Sequence, residues 1–257
     1  MKWLITMSGE RYEETTRRIV QDGPRLGADR VLVYDDVWLM AHPFYTVNRW
    51  LFEHPGDRNG KRGMGWYAWK PLILLETLDR CAPGDVVLYA DADTYPIADF
   101  SVLYDLAARD GAMFFKAQGH SNHRWNKADC LIAMGQDNDA TRFGAHGEAR
   151  YVAIKAGDYR ARQLCCEWLT YAVNPTATTF DPSRYAAEHP EFQEHRTEQA
   201  IMSNLVHKHG YKLWRQCDNT GEGWDEDRET YGQLFVQLHQ GACRNGVGSR
   251  FRNVEMP

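Results

Sequence analysis

The stretch Gly84-Asp85-Val86-Val87-Leu88-Tyr89-Ala90-Asp91-Ala92-Asp93-Thr94-Tyr95-Pro96 constrains this chain most. An apolar, β-branched run, Val86–Ala90, is bounded by Pro83-Gly84 before and Pro96 after, which reads as a buried strand. Ligands of open α/β sheets sit outside the carboxyl ends of the strands. Asp91 and Asp93 stand at that end. Two close carboxylates repel unless they share a proton or a cation, and a hard divalent cation bridging to phosphate is the simplest answer. The bland alternative is a strand followed by an Asx turn. The same spacing recurs in Asp137-Asn138-Asp139 and Asp225-Glu226-Asp227, but neither follows an apolar strand. There Asp bonding its own backbone in a turn suffices. Strand context, not spacing, singles out the first pair.

Around this strand the pattern predicts an α/β fold. Residues 3–7 form a strand, 10–21 a surface helix and 31–34 a second strand closed by Asp35-Asp36. This β-α-β opening implies a parallel sheet with a nucleotide-sized crevice. No Gly-x-Gly-x-x-Gly follows the first strand and there is no Walker lysine, which weakens dinucleotide and P-loop readings. A short helix is expected over 42–53, then a Gly- and charge-rich loop. Gly63-Met64-Gly65-Trp66-Tyr67-Ala68-Trp69-Lys70-Pro71 follows, leading into a helix over 72–78. Lys70, beside aromatic rings, is either a point-charge phosphate contact or an ordinary snorkelling lysine. Further on come a helix over 100–109, a strand over 112–117 and a polar aromatic loop over 119–127. Then follow a helix over 129–135 with Asp129 in its first turn, a strand over 150–155 and a helix from Asp158 to about residue 173. A loop over 174–190 precedes a helix opened by His195-Arg196-Thr197-Glu198-Gln199, with Thr197 as N-cap. A strand over 211–214 and an apolar run into His239 end the pattern, and a tail with Arg244, Arg250 and Arg252 closes it.

A net charge of −5 and a pI near 6.1 give no global attraction for nucleic acid. No apolar run approaches the length of a membrane span, and residues 3–7 are not a signal-peptide core. Six scattered cysteines, none in Cys-x-x-Cys spacing, argue against zinc and fit a reduced, cytoplasmic protein. Nine Trp and thirteen Tyr supply rings that pack cores and also line sugar and base sites. No repeat or linker is visible, so residues 1–257 are expected to form one domain.

These pieces occur together and in order: the β-α-β opening, Gly65-Trp66-Tyr67-Ala68-Trp69-Lys70-Pro71, the strand-borne Asp91-Ala92-Asp93, His195-Arg196-Thr197-Glu198-Gln199 and the late His239. The set resembles nucleotide-sugar glycosyltransferases of the GT-A fold, in particular small bacterial and viral members related to family 8 and capsule-type enzymes of polysaccharide biosynthesis. The resemblance implies a single GT-A type, Rossmann-like α/β domain with a mixed, mostly parallel central sheet flanked by helices. It implies that Asp91, Asp93 and His239 hold Mn²⁺ or Mg²⁺ on the donor diphosphate. Lys70, Trp69, Asp91, Arg244 and Arg250 would contact the nucleotide and its phosphates. Glu198 and Gln199 match a segment that in such enzymes reads His-Arg-x-Asp-Gln, with Glu one methylene longer than Asp. Asp129 matches an acidic position that contacts donor sugar or acceptor. The implied reaction moves a sugar from a nucleotide-diphosphate sugar, UDP rather than GDP, to a glycan or other hydroxyl acceptor, with retention favoured and inversion by Asp129 or Glu198 as base left open. A sugar-phosphate nucleotidyltransferase and a non-catalytic nucleotide or carbohydrate binder are the alternatives. Nucleic acid is not an expected partner, while a modified nucleobase acceptor stays open.

Overall fold

The computed structural model describes residues 1–53 and 64–238 and the backbone of Glu255–Met256. The β-α-β opening is present as β1 (Lys2–Ser8), α1 (Glu13–Asp22) and β2 (Arg30–Asp35), with β1 and β2 paired in parallel from Trp3↔Arg30 to Ser8↔Asp35. The one short helix expected at 42–53 is three: α2 (Asp36–Ala41), α3 (Pro43–Val47) and α4 (Arg49–Glu53). The breaks are local. The Asp35 carboxylate caps α2 by accepting from the Trp38 N–H, so α2 begins directly after β2. His42 is extended, and Pro43 opens α3 where its missing N–H has no partner to lose.

The chain continues through α5 (Trp69–Leu78), β3 (Val86–Ala90), β4 (Thr94–Pro96) and α6 (Ser101–Asp110). Next come β5 (Ala112–Ser121), α7 (Asn122–Trp125), α8 (Ala128–Ala133), α9 (Asp139–Arg142), β6 (Ala145–Lys155) and α10 (Tyr159–Ala172). Then follow α11 (Pro175–Thr178), α12 (Thr197–Lys208), β7 (Leu213–Trp214), β8 (Phe235–Gln237) and β9 (Glu255–Met256). Seven strands make one mixed sheet in the order β7-β5-β6-β3-β1-β2-β9, and β4 pairs with β8 apart from it. The pairs β1·β2, β1·β3 and β5·β7 are parallel, and β2·β9, β3·β6 and β5·β6 antiparallel.

Strand alternation sends successive side chains to opposite faces. Val87 and Tyr89 join a core with Leu72 and Ile73 of α5, Leu164 and Trp168 of α10, and Ile201 and Leu205 of α12. Val86, Leu88 and Ala90 join a second core with Ile19 of α1 and Leu103 and Leu106 of α6. Burial on both faces is why β3 is apolar without interruption. Truncating one of these buried aliphatic side chains to Ala costs about 2–5 kcal/mol.

β5 and β6 are longer than their sequence pattern suggested. Their ladder carries irregularities between Phe114 and Phe115 and between Lys116 and Ser121, which break the alternation that marks a strand. Because β6 runs antiparallel to β3 with Ala90 opposite Tyr151, residues 145–150 extend past the carboxyl end of β3. β6 therefore runs beside the place where Asp91 and Asp93 emerge, with β5 on its far side. No described helix is long and apolar enough to cross a membrane. The five described cysteines are free thiols, and Cys243 lies outside the described residues.

Candidate active site

At the end of β3 the ladder continues one step, the Asp91 N–H donating to Arg150 O at 2.9 Å. The chain then turns. Thr94 donates its N–H (3.1 Å) and its hydroxyl (2.7 Å) to the Asp91 carbonyl. The turn thus closes on a backbone oxygen and leaves the Asp91 carboxylate out, which sets it apart from an Asx turn. The other two Asp-x-Asp segments are structural. Asn138 caps α9 through the Thr141 N–H, and Asp137 pairs with Arg142. Asp227 binds Lys212 at 2.5 Å and accepts from the Arg215 N–H, and Asp225 pairs with Arg228.

Asp91 is met from below by Tyr89, two residues back on the same strand face, whose hydroxyl donates to Oδ1 at 2.5 Å. Lys70, in the first turn of α5, comes within 3.0 Å of the same oxygen. Its Nζ also lies 3.3 Å from Glu198 Oε1 and donates to Ala149 O at 3.2 Å. An ammonium has three donors, and all three are taken. Lys70 is 3% exposed, with the rings of Tyr67 and Tyr89 against it. Burial alone would push its amine down, but the charges of Asp91 and Glu198 outweigh this and raise it. Lys70, read from the sequence as a phosphate contact or a snorkelling lysine, is a buried cation held between two carboxylates.

Glu198 is the other end of that pair. Its Oε1 faces Lys70 and its Oε2 accepts from the Thr197 hydroxyl at 2.8 Å. Burial raises its carboxyl above the usual range, and Lys70 opposes the shift. Thr197 does not cap α12 as expected. Arg196 occupies the cap position, and Thr197 adopts a left-handed φ of 48°. A β-branched residue there costs about 1–2 kcal/mol, and the conformation places its hydroxyl on Glu198. With both oxygens occupied, Glu198 serves Lys70 rather than an open cleft. Gln199, next in α12, is half-buried.

Asp93 is different. Its Oδ2 has only a long contact, 3.4 Å, from Gln237 Nε2. Its Oδ1 is buried with no hydrogen-bond partner among the described residues. Burial, then the neighbouring Asp91 charge, push its carboxyl up to about 6, with Arg150 opposing. Its backbone carbonyl accepts from Leu238 N at 2.9 Å, and β8 pairs with β4 alongside, from Thr94↔Gln237 to Pro96↔Phe235. Arg150, from the extended part of β6, binds Asp218 Oδ2 at 2.8 Å and lies 3.6 Å from Glu148. It is a buried guanidinium raised by those two acids against the cost of burial.

The pair opens into a cleft of about 90 Å³ lined by Met7 and Tyr12 near the end of β1, Tyr67 and Trp69, and Tyr89, Asp91 and Asp93. The aromatic wall is shaped by an unusual turn. Gly65, Trp66 and Tyr67 are all left-handed, with φ of 58°, 48° and 61°. Gly65 is required there, since a Cβ would come within 2.5 Å of the Phe52 ring. Two non-glycine residues in that conformation next to the carboxylates are strain of the kind that collects at functional sites. Trp69, expected in the site, lines it.

A hard divalent cation fits this donor set. One carboxylate has a buried, bare oxygen, and burial together with the Asp91 charge disfavours its ionised form unless a positive charge is present. Asp91 and Asp93 are the described protein oxygens that would hold it. Among the described residues no three His, Cys, Asp or Glu side chains gather as a ligand set. His239, Arg244 and Arg250 lie outside the described residues.

Asp129 is not brought to the pair. Its carboxylate accepts from the backbone N–H groups of Arg184 (2.8 Å) and Tyr185 (2.9 Å), and it lines a separate hollow with Lys127 and Thr179. It clamps the 181–185 segment onto α8, which corrects the donor- or acceptor-contact reading. Arg150, Tyr67, Tyr89, Tyr12 and Met7 are site residues that the sequence pattern did not single out. For Tyr89 the signal was present, two residues before Asp91 on one strand face. For Arg150 there was none, because its place depends on the β3·β6 pairing.

No protein-family model matches the chain, and no curated protein sequence does. Solved structures do match. The mouse xyloside xylosyltransferase 1, in its apo form, aligns at 11% identity over 96% of this chain and 100% of that chain, with a TM-score of 0.49. The bifunctional glycosyltransferase WbbM, also apo, aligns at 10% identity over 95% of this chain and 46% of that chain, with a TM-score of 0.53. This chain thus spans about half the length of WbbM. The likeness to WbbM shows the fold: an α/β arrangement of GT-A type, with a mixed central sheet between helices.

Proposed function

We propose that the protein is a metal-dependent glycosyltransferase that moves a sugar from a nucleotide-diphosphate sugar, with UDP favoured as the nucleotide, to a glycan or other hydroxyl acceptor. The observation that carries the reading is the carboxylate pair at the end of β3, with a bare buried oxygen on Asp93, facing an aromatic cleft on a glycosyltransferase-type fold. The cleft suits a nucleoside: Tyr12, Tyr67 and Trp69 offer ring faces and edges, and the diphosphate would lie toward Asp91 and Asp93. Mn²⁺ or Mg²⁺ bound there supplies Lewis-acid neutralisation of charge on the leaving diphosphate.

The chain's own residues prepare that place. Lys70 fixes Asp91 with one oxygen turned inward, and Tyr89 holds the same oxygen. Glu198 and Ala149 O fix Lys70 in turn. His239 as a third ligand belongs to the proposal, supported by the hydrogen bond of the preceding Leu238 N–H to Asp93. Arg244 and Arg250 as phosphate contacts rest on the resemblance. Retention belongs to it too. The described lining of the cleft holds no carboxylate besides the pair, and so offers no separate base to activate an acceptor for inversion.

A screen of UDP- and GDP-sugars for hydrolysis, with Mn²⁺ or with EDTA, tests the reading. Release of free sugar from at least one UDP-sugar only with Mn²⁺ is expected. Proton NMR of the first-formed anomer reads the stereochemistry. Absence of metal-dependent turnover across the screen, together with metal-independent nucleotide binding, would return the chain to a non-catalytic binder.

A further inference from the structure

Another hollow, of about 190 Å³, lies between α7, α8 and the 187–190 segment. Its apolar walls are Ala128, Leu131, Ala187 and Pro190. None of its residues belongs to the Asp91/Asp93 cleft.

Its polar groups are specific. Asn126 is 2% exposed, and its Nδ2 donates to Asn204 Oδ1 at 2.7 Å. That bond fixes the orientation of the amide and leaves Oδ1 as an acceptor, buried and without a partner among the described residues. Buried acceptors are rarely left bare. His189 Nδ1 accepts from the Glu191 N–H at 3.2 Å, so in the neutral ring Nε2 carries the hydrogen and donates. The His189 ring lies edge-on to His123 at 4.4 Å and to Phe143 at 5.8 Å. Phe143 is 55% exposed, an aromatic ring held in solvent beside the hollow.

An orphaned acceptor on the lining residue Asn126, a ring N–H on His189 and aromatic rings beside apolar walls are what a sugar ring requires. Its hydroxyls donate and accept, and its C–H face packs on rings. Arg142 also lines the hollow but is paired with Asp137, while Glu188 lines it too and Glu191 sits on His123, so a phosphate ligand fits poorly. We propose that this hollow binds a neutral saccharide unit at a site separate from the carboxylate cleft. The inference stands on the hollow and does not need the transfer reaction.

Ala187 is exposed on the rim, so Ala187→Trp fills the space without disturbing the core. The probes are the methyl glycosides of glucose, galactose, xylose and N-acetylglucosamine. They are read by saturation-transfer NMR and by the His189 ring signals, with UDP as competitor. At least one glycoside is expected to bind and to shift His189. Ala187→Trp should weaken that binding about tenfold or more with an unchanged thermal transition. His189→Ala is read in parallel as a second variant. Failure of every glycoside to bind, binding that survives both variants, or displacement by UDP would each overturn the proposal.

Discussion

Lys70 shows how a charged residue acquires its role from burial. In solvent it would be a flexible cation able to meet a phosphate. At 3% exposure with three acceptors around it, it can only organise what surrounds it. Lys70→Met leaves Asp91 and Glu198 without their counter-charge, and removing one member of a buried ionic set costs about 3–5 kcal/mol. Adding Glu198→Met should restore part of that loss, and urea titrations arranged as a double-mutant cycle measure the coupling. Asp93 acts in the opposite direction. Its carboxyl is raised to about 6, against about 4 when unfolded. Between those values the folded state holds more protons than the unfolded one, so its contribution to stability falls as pH rises from about 4 to 6. Asp93→Asn should remove that slope and make the metal-free protein about 1–3 kcal/mol more stable at pH 8. Unfolding midpoints of both proteins across that range are the check, and equal slopes would show that Asp93 is not strained.

At the scale of elements, what could be read in advance was whatever local pattern determines. β3 announces itself by an apolar run between Pro and Gly punctuation, and the β-α-β opening by its alternation of patterns. The start of α2 does not show in the apolar pattern because Asp35, which closes β2, is also a cap. Thr197 has the composition of a cap, yet tertiary contacts to Glu198 and Lys70 claim the turn instead. Asp129 was legible as a first-turn acid, but its partners come from a loop more than fifty residues away in the chain. Asp129→Asn can accept through only one oxygen and should cost about 1–3 kcal/mol. It should speed proteolysis within 181–190 and leave nucleotide affinity unchanged. Altered nucleotide affinity would bring Asp129 back toward the site.

For the whole molecule, the site is an assembly of distant parts. Asp91 and Asp93 follow β3, Lys70 comes from α5, Glu198 from α12 and Arg150 from β6, all brought together by the β3·β6 pairing and the helix layer on one sheet face. No single segment contains it, which is why the carboxylate pair was readable in sequence and its supports were not. Binding across several elements should stabilise the fold by mass action, about 2.7 kcal/mol at a hundredfold excess over Kd. A rise in unfolding temperature with UDP and Mn²⁺ together, larger than with either alone, is the expected sign.

The most direct measurement is calorimetric titration of UDP into the native protein and into Asp93→Asn, each with Mn²⁺ and with EDTA. The expected result is that Mn²⁺ tightens UDP binding about tenfold or more in the native protein and has no effect in Asp93→Asn. Equal UDP affinity with Mn²⁺ and with EDTA in the native protein would contradict a cation site at Asp91 and Asp93.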